Sequence, residues 1–116
     1  MKYKLPKSGR LHDNSQFQTV YRTGRSVANR MAVLHLVPNE QAISRIGFAA
    51  GKRLGNAVVR NRVKRLLREA YRLQQFRVKP GFDMVLVGRQ ALIEADLQKT
   101  VNAFLDLCLR AKILNK

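Results

Sequence analysis

The longest amphipathic pattern in the chain runs from Asn56 to Arg72. Apolar residues recur there at spacings of three and four, which places them on one stripe of an α-helix. The stripe consists of Val59, Val63, Leu66, Leu67 and Ala70. At about 100° per residue, the opposite face carries Asn61, Lys64, Arg65, Arg68 and Arg72. Gly55 and Asn56 predict the helix start, because Gly permits a turn and Asn caps the first free N–H groups.

Two shorter helices are predicted near the ends of the chain. Asp13 and Gln16 form a capping-box pattern, so the first helix is expected to run to about Arg22 and to end at Gly24 as its C′ residue. Asp96 predicts the cap of the last helix. The apolar stripe of that helix is expected to comprise Leu97, Val101, Phe104, Leu105 and Cys108.

Four further segments have the pattern of β-strands. Arg25–Arg30 predicts a short edge strand, and the next strand is Met31–Val37, in which two faces alternate. The first face carries Ala32, Leu34 and Leu36, and the second carries Met31, Val33, His35 and Val37. Ile46–Ala50 is the third strand, and the continuously apolar Asp83–Gly88 predicts a buried fourth strand. The order α-β-β-β-α-β-α predicts one sheet covered by helices, in a single α+β domain spanning residues 1–116.

The composition of the chain indicates a polyanionic partner. Among 116 residues, 23 Lys and Arg oppose 7 Asp and Glu, a formal net charge of +16. Such a charge is typical of proteins that bind nucleic acid or a membrane surface. A hydrophobic fraction of 46% is too high for a disordered basic tail. Only residues 1–10, which are basic and broken by Pro6 and Gly9, are expected to form a flexible arm.

Several classes of site and location are disfavoured by the sequence. Cys108 is the only cysteine, so neither an internal disulfide nor a Cys-based metal cluster is expected. No apolar run approaches the roughly 20 residues of a membrane span, and the first ten residues lack the apolar region of a secretory signal, so the expected location is the cytoplasm. No paired carboxylates, Ser-His-Asp set or two-metal cage indicates catalysis by the chain itself.

The charge on the central helix has a structural and a functional interpretation. A solvated basic face is common on amphipathic helices. However, cations near a helix N-terminus oppose the macrodipole at about 0.3–1 kcal/mol each, and a face of like charges lacks stabilising Glu–Lys pairs. The forked guanidinium of arginine suits phosphate oxygens, and the free N–H groups after Gly55 add anion affinity. The pattern therefore favours a polyanion as the reason for these charges.

The stretch Gly51–Arg72, GKRLGNAVVRNRVKRLLREAYR, strongly resembles the signature of the bacterial ribonuclease P protein component. Within it, residues 60–62 form the Arg-Asn-Arg motif of that family. Arg25–Arg30, RSVANR, resembles the second marked stretch of the same family. Further matching positions, which extend the resemblance to nearly the whole chain, are Phe17, Tyr21 and Arg89.

The resemblance implies a particular fold. It is a four-stranded mixed sheet packed against helices, of a kind also found in a domain of a small-subunit ribosomal protein. A left-handed β-α-β crossover is expected to pass through the basic helix. About 98% of such connections are right-handed, so no pattern in the sequence itself predicts this hand.

The resemblance also implies a function, that of the protein subunit of ribonuclease P. This ribonucleoprotein removes the 5′ leader of precursor transfer RNA in a Mg²⁺-dependent reaction performed by its RNA subunit. The implied partners are the catalytic RNA and precursor transfer RNA, with Mg²⁺ held mainly by RNA, no membrane and no obligate protein partner. The positions matched to binding of the catalytic RNA are Lys52, Arg53, Asn56, Arg60, Asn61, Arg62, Lys64, Arg65 and Arg68. Those matched to a cleft for the leader are Phe17, Tyr21 and His35.

Other interpretations stay open on the sequence. Phe17 and Tyr21 share a helix face with Val20 and fit core packing as well as a stacking platform. His35 stands where the family often carries an aromatic residue, and it fits either base stacking or a plain surface imidazole. A ribosomal or other structural RNA-binding protein needs the same compact basic domain. A membrane-surface binder would need exposed apolar residues opposite the basic face, whereas this helix needs those residues for the core.

Overall fold

A sheet flanked by three α-helices makes up the part of the chain that the computed structural model describes, residues 7–115 with only the backbone of Lys7. The helices are α1 (Asn14–Thr23), α2 (Ala57–Gln74) and α3 (Leu97–Ala111). The strands are β1 (Arg25–Ala28), β2 (Ala32–Pro38), β3 (Arg45–Ala50) and β4 (Phe82–Gly88). Short 3₁₀ helices occupy Lys7–Gly9, Lys52–Leu54, Gln75–Arg77 and Gln90–Glu94. The predicted order of helices and strands is confirmed.

Each α-helix begins at the capping residue predicted from the sequence. The Asp13 side chain accepts a hydrogen bond from the backbone N–H of Gln16 at 3.1 Å, and the Gln16 side chain accepts one from the backbone N–H of Asp13 at 3.3 Å. Asn56 and Asp96 cap α2 and α3 by accepting from the N–H group three residues later, at 3.1 and 2.8 Å. The side-chain oxygens thus satisfy N–H groups that the helix itself leaves free.

The end of α1 differs from the prediction at Gly24. This residue is the C-cap, with φ of −89°, and its N–H donates to the carbonyl of Val20 at 2.9 Å. It is therefore neither in the C′ position nor in the left-handed conformation of a C′ glycine, and the predicted role was wrong. A Cβ on Gly24 would lie 2.6 Å from the carbonyl oxygens of Val20 and Leu36. The close approach of α1 to β2 is what requires glycine.

The sheet is four-stranded and mixed, in the order β1-β2-β4-β3. β2 pairs antiparallel with both β1 and β4, and β3 pairs parallel with β4. The parallel pair is joined by α2, so the expected β-α-β crossover through the basic helix is present; its left hand stays an implication of the resemblance. β3 is an edge strand, with α2 in contact with it.

The two faces of the sheet differ in how completely they are covered. The face that carries Ala32, Leu34 and Leu36 packs against α2 and α3 and is fully buried at these positions, as predicted. The opposite face is covered in part by α1, where Leu11, Val20 and Val85 form a second, smaller cluster. The half-buried residues next to this cluster are Phe17, Val37, Ala49 and Val87. A partly covered apolar surface therefore remains beside α1.

α3 buries a wider face than its predicted stripe. Val101, Phe104 and Cys108 are buried as expected, whereas Leu97 and Leu105 are only half-buried. The prediction missed the buried residues Thr100, Ala103, Leu107 and Ala111. The face is wide because α3 packs against α2, β1 and β2 at once, so residues beside the stripe are enclosed as well. Burial raises the pKa of Cys108 to about 12, which keeps its thiol protonated.

Arg10 and Leu11 lie along β3. Arg10 forms a parallel bridge with Ile46, and the N–H of Leu11 donates to the carbonyl of Ile46 at 3.0 Å. Of the predicted flexible arm, residues 1–6 lie outside the described residues. The flexibility of the arm stays a prediction.

Candidate nucleic-acid interface

The outward face of α2 is a basic surface with little internal neutralisation. Asn61, Arg65 and Arg68 are exposed and Lys64 is half-buried. Residues 7–115 contain three ion pairs, Arg45–Asp83, Arg72–Glu69 and Arg110–Asp106, and none involves these cations. Their charges are thus available to a polyanion.

Two more predicted cations lie at the N-terminal end of α2. Lys52 and Arg53 are exposed on the 3₁₀ helix that follows β3. Gly55 then turns the chain with φ of 144°, and the exposed Asn56 caps α2. The side-chain oxygen of Asn56 accepts the capping bond from the N–H of Val59, and its amide NH₂ group is a potential donor to a ligand.

The arginines of the Arg-Asn-Arg motif are engaged more closely by the protein. The guanidinium of Arg62 donates from Nη1 to the carbonyl of Ile93 and from Nη2 to the carbonyl of Ala95, the latter at 3.3 Å. Arg60 is half-buried, and its Nε is shielded from solvent without a hydrogen-bond partner among the described residues. Arg62 therefore ties α2 to the segment after β4, a contact that sequence reasoning missed because its partners are backbone groups over 30 residues away.

A groove of about 320 Å³ joins the two predicted sites. The Phe17 ring lies so close to Gly47 that a Cβ there would be 2.2 Å from the ring Cζ. On the other side of the groove, the Arg68 guanidinium lies 5.8 Å from the centre of the Phe48 ring. The residues that line it are Arg10, Leu11, Phe17, Ile46, Gly47, Phe48, Lys64 and Arg68. Aromatic rings beside cations suit single-stranded RNA, whose bases stack while its phosphates are neutralised.

The other two residues of the predicted leader cleft, Tyr21 and His35, contact each other beside this groove. Their ring centres are 4.9 Å apart at an interplanar angle of 88°, an edge-to-face contact. Burial lowers the pKa of His35 and raises the pKa of Tyr21, so both rings are neutral at pH 7. Tyr21 keeps 37% of its surface exposed. His35 is thus packed against an aromatic ring rather than being a plain surface imidazole.

Sequence reasoning missed Phe48 as part of this surface. Phe48 shares a sheet face with the core and lies 6.2 Å from the Tyr71 ring. Because β3 is an edge strand, Phe48 is only half-buried and remains within reach of the α2 cations. No local signal separates such a residue from an ordinary core aromatic.

The second signature stretch, Arg25–Arg30, is built into the fold through side-chain contacts to other elements. Arg25 donates to the carbonyl of Ala111 at the end of α3, at 2.8 Å. The Asn29 side chain makes four hydrogen bonds, two to the backbone after β1 and two to α3. Arg89 donates to the carbonyl of Asn29 at 3.1 Å. The stretch therefore joins β1, α3 and the end of β4.

Within residues 7–115, no three His, Cys, Asp or Glu side chains lie together in an arrangement that could hold a metal ion. Across that range, no helix combines the length and the apolar character needed to cross a membrane.

Comparisons with known proteins agree with one another. A profile of the Ribonuclease P family matches residues 5–112. The chain is 43% identical over 106 residues to the ribonuclease P protein component of Natranaerobius thermophilus, covering 91% of this chain and 92% of that protein. Its identity to the same component of Symbiobacterium thermophilum is 44% over 113 residues, covering 97% and 98%.

Solved structures show the same likeness. The RNase P protein of Staphylococcus aureus superimposes with a TM-score of 0.83 at 33% identity, covering 94% of this chain and 100% of that one. The RNase P protein of Thermotoga maritima superimposes with a TM-score of 0.80 at 28% identity, covering 87% and 96%.

Proposed function

Because the chain belongs to the ribonuclease P protein family, we propose that it binds the catalytic RNA of ribonuclease P through α2 and guides the 5′ leader of precursor transfer RNA. The observation that carries this proposal is the groove in which Phe17 and Phe48 meet Lys64 and Arg68. A single strand of RNA that leaves α2 would contact aromatic rings within the same groove.

Contact with the catalytic RNA is assigned to the unneutralised cations of α2 and of the turn before it. Lys52, Arg53 and Arg65 are exposed, and their neighbours Lys64 and Arg68 extend the charge to the groove. Each phosphate that these residues contact releases counterions, which supplies affinity without base specificity. Arg60, Asn61 and Arg62 occupy the same helix, where Arg62 also positions the backbone after β4.

Contact with the leader is assigned to the partly covered sheet face beside α1. Phe17 supplies a half-buried ring at the groove, and the Tyr21–His35 pair supplies a second aromatic surface one helical turn further along. Stacking on such rings is worth about 1–3 kcal/mol per base and tolerates any sequence. A protein that must accept many different leaders benefits from this tolerance.

Hydrolysis is assigned to the RNA subunit with Mg²⁺ held mainly by RNA. The chain has only 7 acidic residues, and Asp83, Glu69 and Asp106 are paired with arginines. That donor set does not suit a protein cage for Mg²⁺, which prefers carboxylate oxygens and water. The protein would instead lower the Mg²⁺ requirement by neutralising phosphates.

We place this ribonucleoprotein in the cytoplasm.

The test is cleavage of precursor transfer RNA by purified components. Protein freed of RNA is expected to leave the precursor intact, whereas the cognate catalytic RNA with the protein cleaves at lower Mg²⁺ than the RNA alone. Cleavage by RNA-free protein, or an unchanged Mg²⁺ requirement, would contradict the proposal. The second outcome would favour a structural RNA-binding protein.

A further inference from the structure

We propose that a cavity between the β1–β2 turn, the 3₁₀ helix Gln90–Glu94 and the start of α3 binds one unpaired nucleotide of RNA. The inference rests on the proposed function, because it takes the partner to be RNA. The cavity measures about 460 Å³, and a neighbouring cavity of about 370 Å³ shares Arg30, Met31 and Lys99 with it. None of its lining residues belongs to the groove around Phe17. It is therefore a separate site.

The cavity has walls that are fixed from several directions. Asn29 Oδ1 accepts hydrogen bonds from the backbone N–H groups of Met31 and Ala32 at 3.0 and 3.1 Å. Asn29 Nδ2 donates to the carbonyl of Ala103 at 3.0 Å and to the carboxylate of Asp106 at 2.9 Å. These bonds hold the turn that carries Arg30 against α3. Arg30, the last residue of the second signature stretch, is thereby placed at the cavity.

The opposite wall is held by α2 and by the core. Arg62 donates to the carbonyls of Ile93 and Ala95, and Leu92 between the lining residues is fully buried. Arg89, at the start of this wall, donates to the carbonyl of Asn29 at 3.1 Å. The site therefore exists before a ligand arrives, which limits the entropy lost on binding.

The chemistry of the lining matches a nucleotide better than a bare phosphate. Arg30 and Lys99 are exposed and form no ion pair among the described residues. They supply two cations for a phosphate. The half-buried Met31 and Ile93 supply an apolar surface for a base.

Glu94 is the residue that points to a base. An exposed carboxylate beside two cations weakens the attraction of a phosphate, so a site for phosphate alone gains nothing from it. A carboxylate does accept hydrogen bonds from base amino groups, such as N4 of cytosine. Gln90 can both donate to and accept from a base edge. The volume falls within the range of about 300–1,000 Å³ typical of small-ligand sites, which suits one nucleotide rather than a duplex.

The test compares affinities of variants for the cognate ribonuclease P RNA, alone and together with leader-bearing precursor transfer RNA. Arg30→Ala and Lys99→Ala are each expected to weaken binding about tenfold and to reduce the slope of log K against log salt by about 0.7–0.9. Lys79→Ala is the matched control for Lys99→Ala, because Lys79 precedes the start of β4 and the cavity lies beyond its end.

Glu94→Gln decides between a nucleotide and a simple phosphate contact. If the Glu94 carboxylate accepts a hydrogen bond from a base, its loss should weaken RNA binding about fivefold or more. Glu40→Gln raises the net charge by the same amount at an exposed loop position and should leave affinity unchanged or slightly higher. If Glu94→Gln behaves like Glu40→Gln or binds more tightly, the proposal is overturned. An unchanged affinity in Arg30→Ala overturns it as well.

The two RNA arms identify the source of the nucleotide. A loss already seen with the catalytic RNA alone places the nucleotide in that RNA, and a loss seen only with the precursor present places it in the substrate. Wild-type protein that binds neither RNA would refute the proposed function itself, an outcome distinct from failure of the variants. Thermal unfolding of each variant confirms that the affinities compare folded proteins, which is expected because Arg30, Glu94 and Lys99 are exposed.

Discussion

The position of the Phe17 ring depends on a neighbour without a side chain. Gly47 belongs to β3, and a Cβ on this residue would lie only 2.2 Å from Cζ of the Phe17 ring. Phe17 is thus half-buried against the sheet and half-open to the groove. The two interpretations of Phe17, core packing and base stacking, describe two sides of the same ring.

Phe17→Ala is expected to weaken binding of leader-bearing precursor by about 1–3 kcal/mol, with a smaller effect on leaderless transfer RNA. Unfolding free energy should fall by less than the roughly 3–5 kcal/mol of a fully buried aromatic. Gly47→Ala should reproduce the binding defect, because the added Cβ displaces the ring. Binding assays with both RNAs and thermal unfolding provide the measurements. Equal losses of affinity for both RNAs would show that Phe17 serves core packing and not leader binding.

The contacts of Asp83 are expected to make the stability of the fold depend on pH in the acidic range. Burial alone would raise its pKa, but hydrogen bonds from Arg45 and Asn39 lower the pKa below its usual value. A depressed pKa means that the stabilisation is present above the unfolded value of about 3.9 and is lost as pH falls through the folded value. Asp83→Asn should therefore lower the unfolding free energy by about 1–2 kcal/mol at pH 7.

The difference between Asp83→Asn and wild type should shrink below about pH 4, as measured by denaturant titrations across pH. Glu40→Gln is the control, because Glu40 is exposed and outside the three ion pairs of the described residues. A difference that persists unchanged at low pH would show that the carboxylate charge is not involved.

At the scale of elements, α2 has different roles on different sides. Its apolar stripe, with Val63 and Leu67 fully buried, belongs to the core. Arg62 lies beside that stripe and holds the segment after β4 through two carbonyls. Arg65 lies on the outward side and is exposed. One helix therefore carries a structural arginine and a solvent-exposed arginine only three residues apart.

Arg65→Ala and Arg62→Ala are expected to separate these roles. Arg65→Ala should reduce the salt slope of RNA binding by about 0.7–0.9 and change unfolding free energy by less than about 0.5 kcal/mol. Arg62→Ala should lower stability by about 1–2 kcal/mol, because two hydrogen bonds from a charged donor are lost. Salt titrations of binding and denaturant unfolding measure both. An unchanged salt slope in folded Arg65→Ala would contradict its assignment to phosphate.

At the scale of the whole molecule, the charge has opposite effects on folding and on binding. A net charge of +16 with three ion pairs among residues 7–115 implies strong repulsion within the folded chain. Salt screens this repulsion, since the Debye length falls from about 30 Å at 0.01 M to about 3 Å at 1 M. The same salt would weaken the proposed binding to RNA by reducing counterion release.

The unfolding midpoint of the free protein is therefore expected to rise by a few degrees between about 0.02 and 0.5 M NaCl, while affinity for RNA falls over the same range. Calorimetry and RNA titration give the two trends. Lys79→Glu, which lowers the net charge by two, should raise the midpoint at low salt and reduce its salt dependence. A midpoint that falls with salt would show that repulsion is not a significant cost to this fold.

Local patterns in the sequence were sufficient for the helix starts, the strand order along the chain and most of the core. Asp13, Asn56 and Asp96 cap the helices as predicted, because a cap depends on atoms within three residues. The alternating faces of β2 were correct for the same reason, since side-chain direction follows backbone geometry. The family resemblance added the four-stranded mixed sheet.

Contacts between distant segments were decided only by the tertiary structure. The exposure of Phe48 follows from β3 lying at the sheet edge, and Arg62 acts through carbonyls that carry no sequence signal. Gly24 is needed for an approach to β2, although its local pattern suggested a helix-terminating conformation. The cavity at Arg30 likewise requires three elements to meet. Such features depend on the packing of elements far apart in the chain, which no local periodicity or capping pattern encodes.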